Sequence, residues 1–243
     1  MSAPRVPSRL AVRDLSLVAL LALALGACTT VSMTGTVDAP RFAVGDHWQH
    51  RVIDGFRRAQ VATVDSEVVA VNAGEATIRV RYVDDRGQYE RTQRVLADGG
   101  VVVGAAWRQD TREFSPPLRE LDFPLTQGRT WRQTVSNVHL DSPAREVGQI
   151  YNWGRVQGSM SVTVPAGTFD TIQVYRILQL DDEEFWRSRT TLRDQVWYSP
   201  QVKAAVREVR DGEYREKTDA LDAATVRNEY SIYELTSFTP GRG

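Results

Sequence analysis

One thiol, three imidazoles, a short acidic run and six indoles are the side chains of this sequence with the best claim to chemistry. The thiol is Cys28, which leaves no cysteine in the body of the chain for covalent catalysis or a thiolate metal site. His47 and His50 have the i, i+3 spacing that would share one face of a helix. Their context, Gly45-Asp-His-Trp-Gln-His-Arg-Val, reads instead as a strand, where that spacing puts the rings on opposite faces and spoils a shared metal site. Exposed strand histidines are expected. His139, Asp141 and Ser142 bring the three triad residue types into one loop, but a triad is assembled across a fold and sequence adjacency carries little weight. Asp181-Asp182-Glu183-Glu184 has the oxygen ligands that calcium favours, without the spaced ligands and glycine of a dedicated loop, so a solvated hairpin tip is expected. There is no Gly-x-Ser-x-Gly elbow, phosphate loop, dinucleotide fingerprint or His-Glu-x-x-His. The expectation is a protein that is not an enzyme and carries no cofactor or metal. Trp48, Trp107, Trp131, Trp153, Trp186 and Trp197 fit core packing, or the lining of an apolar cavity that takes an acyl chain or a partner's segment.

The elements that must position these residues begin with an address. Residues 1–28 read MSAPRVPSRLAVRDLSLVALLALALGAC, three arginines ahead of an apolar run from Leu15 to Ala27. Such a run makes roughly 20 Å of helix, short of the roughly 30 Å of a bilayer's hydrocarbon core. It has the form of an export signal. The ending Leu25-Gly26-Ala27-Cys28 resembles the lipobox of bacterial lipoproteins. That resemblance implies a diacylglycerol on the Cys28 thiol, cleavage between Ala27 and Cys28, and acylation of the new amine. Three acyl chains would give effectively permanent attachment, at about 0.8 kcal/mol per buried methylene. Thr29 in place of an aspartate resembles the default for sorting to the outer membrane, on its periplasmic face. Residues 29–39, TTVSMTGTVDA, are small and polar, as a flexible tether should be.

From residue 40 onward the period is 2. Ile78, Val80 and Tyr82 share one face against Thr77, Arg79 and Arg81; Met160, Val162 and Val164 alternate with Ser159, Ser161 and Thr163. Alternation of this kind marks half-buried antiparallel strands. Turn signals recur every 8–15 residues, and only Thr218–Val226 suggests a short helix. The halves 40–120 and 121–243 overlay weakly: Gly45-Asp-His-Trp answers Gly128-Arg-Thr-Trp, and Val69–Gly74 answers Val162–Gly167. Chance likeness of two meanders and internal duplication both fit. The second half, with Val164-Pro-Ala-Gly-Thr-Phe169 and Val196-Trp-Tyr-Ser-Pro200, resembles a group of bacterial envelope domains that carry a V-P-A-G-x-F hairpin and a W/Y-Y-[SA]-P strand. That group often has a Lys or Arg at the next strand's end; Lys203 and Arg207 stand nearby, although its usual glycine is replaced around Lys203-Ala204. The likeness spans about a third of the chain and implies a β-rich envelope fold without an activity.

Composition narrows the partners. The formal charge of −1 becomes −3 when Arg5, Arg9, Arg13 and Asp14 leave with the signal, so no long-range field draws nucleic acid or anionic lipid. The expected molecule is a signal peptide (1–27), a tether (28–39) and one mainly β domain (40–243), its antiparallel meanders forming a sandwich or strongly curved sheet with at most one or two short helices. The function expected first is a non-enzymatic envelope lipoprotein with a binding or accessory role, held to the membrane by Cys28 and meeting an envelope protein or lipid. A lipid or lipoprotein carrier with an apolar cavity comes second, and a cell-envelope hydrolase third. The anchor has its own test: Cys28→Ser should abolish labelling by radioactive palmitate and leave the precursor uncleaved, whereas undiminished labelling would refute the lipobox assignment.

Overall fold

The structure is a computed structural model describing residues 35–106, 110–142, 148–181, 187–217 and 224–242. Ala27, Cys28, Thr29, Trp107, Trp186 and Asp182–Glu184 lie outside the described residues, as do 218–223 of the suggested helix. Thr225 and Val226 belong to a strand, and no helix occurs among the described residues.

Twelve strands run through the described residues: β1 (His47–Asp54), β2 (Ala59–Asn72), β3 (Glu75–Asp84), β4 (Gly87–Leu96), β5 (Val101–Gly104), β6 (Arg112–Leu118), β7 (Thr130–His139), β8 (Gly148–Val164), β9 (Gly167–Asp181), β10 (Arg187–Ser199), β11 (Ala204–Glu216) and β12 (Thr225–Thr239). Each pairs antiparallel with the next, and β12 closes on β1, with Trp48 opposite Phe238 and Val52 opposite Tyr233. The mainly β expectation holds, but the sandwich or open curved sheet is corrected to a closed barrel. Closure needs coil and twist, which bulges supply: the register slips at Val52/Ile53, Val68/Ala70, Val156/Gly158 and Trp197/Tyr198. Closing also removes the unpaired sheet edge that a strand-adding binding module would offer.

Alternation sorts the side chains as the period requires. Ile78 and Val80 point inward and are buried, whereas Arg79 pairs with Glu67 on the outer face. Further cross-strand pairs stud that face, among them Arg94–Glu75 at 2.7 Å, Arg193–Glu213 at 2.7 Å and Arg227–Asp211 at 2.6 Å, all partly exposed. Charged residues at such density do not face hydrocarbon, so this wall is wetted rather than lipid-facing.

Both Gly-x-x-Trp segments open a strand by the same device. Gly45 and Gly128 take left-handed backbone (φ 87° and 81°) that favours glycine. The Gly45 N–H donates to Val68 C=O at 2.8 Å while Asp46 C=O accepts from Val68 N–H at 2.9 Å. Gly128 N–H likewise donates to Val156 C=O at 3.0 Å, and Arg129 C=O accepts from Val156 N–H at 2.9 Å. Each valine is fully buried and immediately precedes a bulge. Trp48 and Trp131 then turn inward; the Trp131 ring lies on Gly154, where an added Cβ would stand 2.0 Å from it.

The wall is thinnest at β5 and β6. β6 pairs with β7 only from Arg112 to Ser115, because Pro116 and Pro117 have no N–H for the ladder. Side chains replace the missing rungs. The Gln133 carboxamide accepts from Arg119 N–H at 2.9 Å and donates to Pro117 C=O at 2.8 Å. Arg119 C=O accepts from Asn152 at 2.6 Å and from the Trp131 indole at 3.1 Å.

One end of the barrel, called proximal here, receives the chain's N-terminal segment. Val37 is buried and exchanges backbone bonds with Leu125 (2.9 and 2.7 Å), so the chain is docked before residue 39, where the tether was expected to end. Asp46, wholly buried, ties this end together: it accepts from Ala43 N–H, Gly241 N–H and the Lys203 ammonium at 2.7–3.0 Å. Replacing Gln133 with leucine should lower stability by about 2 kcal/mol, since a partly buried N–H and C=O lose their partner. The readout is the urea midpoint, and an unchanged midpoint would show the seam needs no such bridge.

Candidate functional site

The interior of the barrel is polar at mid-depth and aromatic at its proximal end. Phe42 and Pro40, from the segment before β1, face Trp48, Leu121, Phe123 and Tyr198 around a cavity of about 220 Å³. Sequence order explains the aromatic collar. Trp48 is pinned by its indole N–H, which donates to Val202 C=O at 2.6 Å, and it stacks on Phe238 and meets Phe42 edge-on. Phe123 meets Tyr198 edge-on and lies against Gly99, whose φ of 85° and lack of a Cβ allow the contact. Burial pushes the Tyr198 phenol pKa up, so it stays a protonated donor.

Below the collar sit three arginines and three carboxylates. Arg176 grips Asp194 with Nε at 3.1 Å and Nη2 at 2.5 Å, and approaches Glu208 at 3.6 Å and Glu120 at 3.7 Å. Arg210 holds Glu208 at 2.9 Å and lies over the Tyr233 ring, 4.9 Å from its centre. Asp194 and Glu208 are pushed apart by their surroundings. Burial, helped by the Glu208 charge, raises the Asp194 carboxyl in spite of Arg176. Burial also opposes ionisation of Glu208, but Arg210 and Arg176 together bring it below the usual range. Arg91 completes the group. Among the described residues its hydrogen bond is the 3.5 Å contact to Gln93, its Nε is buried without a partner there, and burial, with Arg210 nearby, brings its pKa down to about 10 against the pull of Glu120 and Tyr233. A second space of about 150 Å³ lies against it, bounded also by Tyr233, Val64 and Val80. The two spaces share His50, Ser66, Gln93, Ala205, Glu208 and Arg210 in their walls, so they are adjoining parts of one interior.

The histidines separate as their spacing requires, but two of the three are not exposed. His47 turns outward to Asp65 at 2.9 Å. His50 turns inward, where its Nε2 donates to Ala205 C=O at 2.9 Å, leaving Nδ1 as the acceptor of a neutral ring. His139 is buried with Asn137 and Arg112 at the far end, and Asp110 stands 4.0 Å from it. Asp141 instead accepts from Thr111 N–H, so the His139–Asp141–Ser142 grouping is not assembled. Burying Arg112, His139, Arg176 and Asp194 was not foreseeable from composition; the only local sign is that each occupies an inward position of its strand. Of the tryptophans, Trp48 and Trp131 are core residues, and Trp48 also lines the cavity. Trp153 and Trp197 lie on the outer face, against Tyr175 and beneath Arg207 respectively. Among the described residues no group of three or more His, Cys, Asp or Glu could hold a metal.

Chemically, this interior offers charge-assisted donors at depth and apolar contact at the mouth. No protein-family model matches the chain, and no curated protein matches it in sequence. Solved structures of similar topology include a candidate lipoprotein from Parabacteroides distasonis ATCC 8503, 14% identical with a TM-score of 0.49, covering 84% of this chain and 99% of that one. A candidate exported protein with a YmcC-like fold from Bacteroides fragilis NCTC 9343 is 12% identical with a TM-score of 0.49, covering 84% and 100%. The hypothetical lipoprotein YmcC from Escherichia coli K12 is 7% identical with a TM-score of 0.40, covering 81% and 85%.

Burial dominates His50, holding its pKa below the ordinary 6.5 although the Ala205 bond and Glu208 pull upward. The unfolded chain therefore takes up this proton first as pH falls. The stability tied to a neutral His50 is whole above about pH 6.5 and is lost as pH falls through the folded value. His50→Asn should flatten the fall in urea stability between pH 7 and 5 by up to about 1.4 kcal/mol per pH unit; parallel curves for the two proteins would contradict a neutral buried ring.

Proposed function

We infer that this chain is a non-enzymatic, lipid-anchored envelope protein that holds a small ligand in the proximal end of its barrel. The observation that carries the reading is the cavity of about 220 Å³ ringed by Phe42, Trp48, Phe123 and Tyr198 and floored by Arg176, Glu208 and Arg210. Concave apolar walls with a few convergent polar groups are the usual form of a ligand site. A lipid on Cys28 fits this end of the barrel: Val37 is docked here, and the nine Cα-to-Cα steps from Cys28 to Val37 span at most about 30 Å. Lipid on Cys28 thus keeps the mouth near the membrane, on the periplasmic face of the outer membrane by the Thr29 criterion.

The carrier alternative calls for one continuous apolar cavity. The adjoining spaces of about 220 and 150 Å³ instead have Arg91, Arg176, Glu208 and Arg210 in their walls, so an acyl chain filling them would strand those charges. The hydrolase reading is disfavoured by the state of the groups present. Glu208 and Asp194 are held by arginines, the His50 ring is turned to a backbone carbonyl, and burial keeps the Tyr198 and Tyr233 phenols protonated.

Native mass spectrometry of the protein lifted from its own membranes tests the binding role. A small-molecule adduct is expected on the wild type and should disappear in Ala204→Trp, which fills the cavity wall. A wild type without any adduct, or an adduct retained in the variant, would overturn the reading.

A further inference from the structure

Of the three guanidinium groups in the deep half of the interior, that of Arg91 has no carboxylate in ion-pair contact among the described residues, and Glu120 attracts it only from beyond that range. Arg176 and Arg210 each have a carboxylate within 3.1 Å. Arg91 has none among the described residues: its hydrogen bond there is the 3.5 Å contact to the Gln93 carboxamide, and its Nε is buried without a partner. The walls of the 150 Å³ space therefore carry two guanidinium groups, Arg91 and Arg210, against one carboxylate, Glu208. Burying a cation without a counter-charge is expensive, and an unsatisfied buried donor in a folded protein calls for a partner. The fork of a guanidinium matches a planar carboxylate with two parallel hydrogen bonds. Tyr233 and Ser66 add hydroxyl groups to the same walls, and the neutral His50 ring adds no charge.

Resting on the reading that the cavity binds a ligand, we propose that its ligand is a small monocarboxylate, whose carboxylate lies on Arg91 and whose apolar remainder points to the aromatic mouth. Two dimensions of the interior set the class. The deep space, about 150 Å³, is enough for a carboxylate and its first carbons. The adjoining mouth is lined by Phe42, Trp48, Val95 and Phe123, which suits a short hydrocarbon or aromatic tail. Glu208 and Asp194 already engage Arg210 and Arg176, which leaves Arg91 as the guanidinium open to one negative charge, and so to a monoanion.

The test is titration calorimetry on the lipidated full chain in phosphatidylcholine nanodiscs, with sodium hexanoate, hexanamide and inorganic phosphate as probes. Hexanoate should bind saturably, hexanamide at least tenfold more weakly, and Arg91→Gln should weaken hexanoate at least tenfold. Arg91→Gln should melt at or above the wild-type temperature, because a buried charge without an ion-pair contact has gone. Arg91→Lys, which keeps the charge and loses the fork, should fall between the two in affinity. Equal hexanoate affinity in wild type and Arg91→Gln, equal affinity for hexanamide, or phosphate binding more tightly than hexanoate would each overturn the proposal. Ala204→Trp separates the two readings. Hexanoate binding that survives in it but is lost in Arg91→Gln supports the carboxylate site and overturns the assignment of the mouth.

Discussion

A closed sheet of twelve strands has to fill its own interior, and this constraint organises the rest of the molecule. Eight strands already enclose about as much space as inward side chains can fill, so twelve demand longer ones. Arginine is among the longest available, and it carries a charge that must be met inside. The result is the central knot in which Arg176 holds Asp194, approaches Glu208 and Glu120, and meets Arg210 through Glu208. Such a knot is weak evidence of stability, because desolvating each ion offsets most of the attraction between them. Its consequence is specificity: polar groups at fixed depth leave few ways to rearrange the interior without stranding a charge.

The same constraint explains the two ends of the barrel. Apolar and aromatic residues close the proximal end, where the β6–β7 connection brings in Leu121, Phe123 and Leu125 and the N-terminal segment brings in Val37 and Phe42. Asp46 then fastens the segment before β1, the β10–β11 turn and the C-terminal Gly241 to one carboxylate. Gly241 has no room for a Cβ, which would stand 2.4 Å from Val44 C=O. This knot was unreadable beforehand, because Asp46, Lys203 and Gly241 are far apart in sequence and each looks like an ordinary turn residue. The cavity lies between the collar and the central charges, where neither kind of filling reaches.

Histidines and tryptophans show how far residue-level reading goes. The opposite facing of His47 and His50 followed from the two-residue period, and the structure puts one ring on Asp65 outside and the other on Ala205 inside. Their exposure did not follow, because in a barrel the inward face of every strand is enclosed, while in a two-sided sheet some inward positions at the rim stay wet. The tryptophans divide by the same rule, Trp48 and Trp131 inward and Trp153 and Trp197 outward. Parity along the strand decided which was which; sequence alone did not say which parity pointed to the core.

What the chain determined by itself is local. The alternation at Thr77–Val83, the glycine turns and the Gly-x-x-Trp openings depend only on near neighbours, so antiparallel strands were readable from the residues. Tertiary structure decided the rest. Whether twelve strands stack as two sheets or close into one depends on β12 finding β1, a pairing of residues more than 180 apart such as Arg51 and Glu234. The cavity, the inward place of Arg91 and the Arg176–Asp194 pair exist only after that closure. Side chains alternate over two residues, but an interior is defined by the registers of strands from both halves of the chain, and no local pattern records those registers.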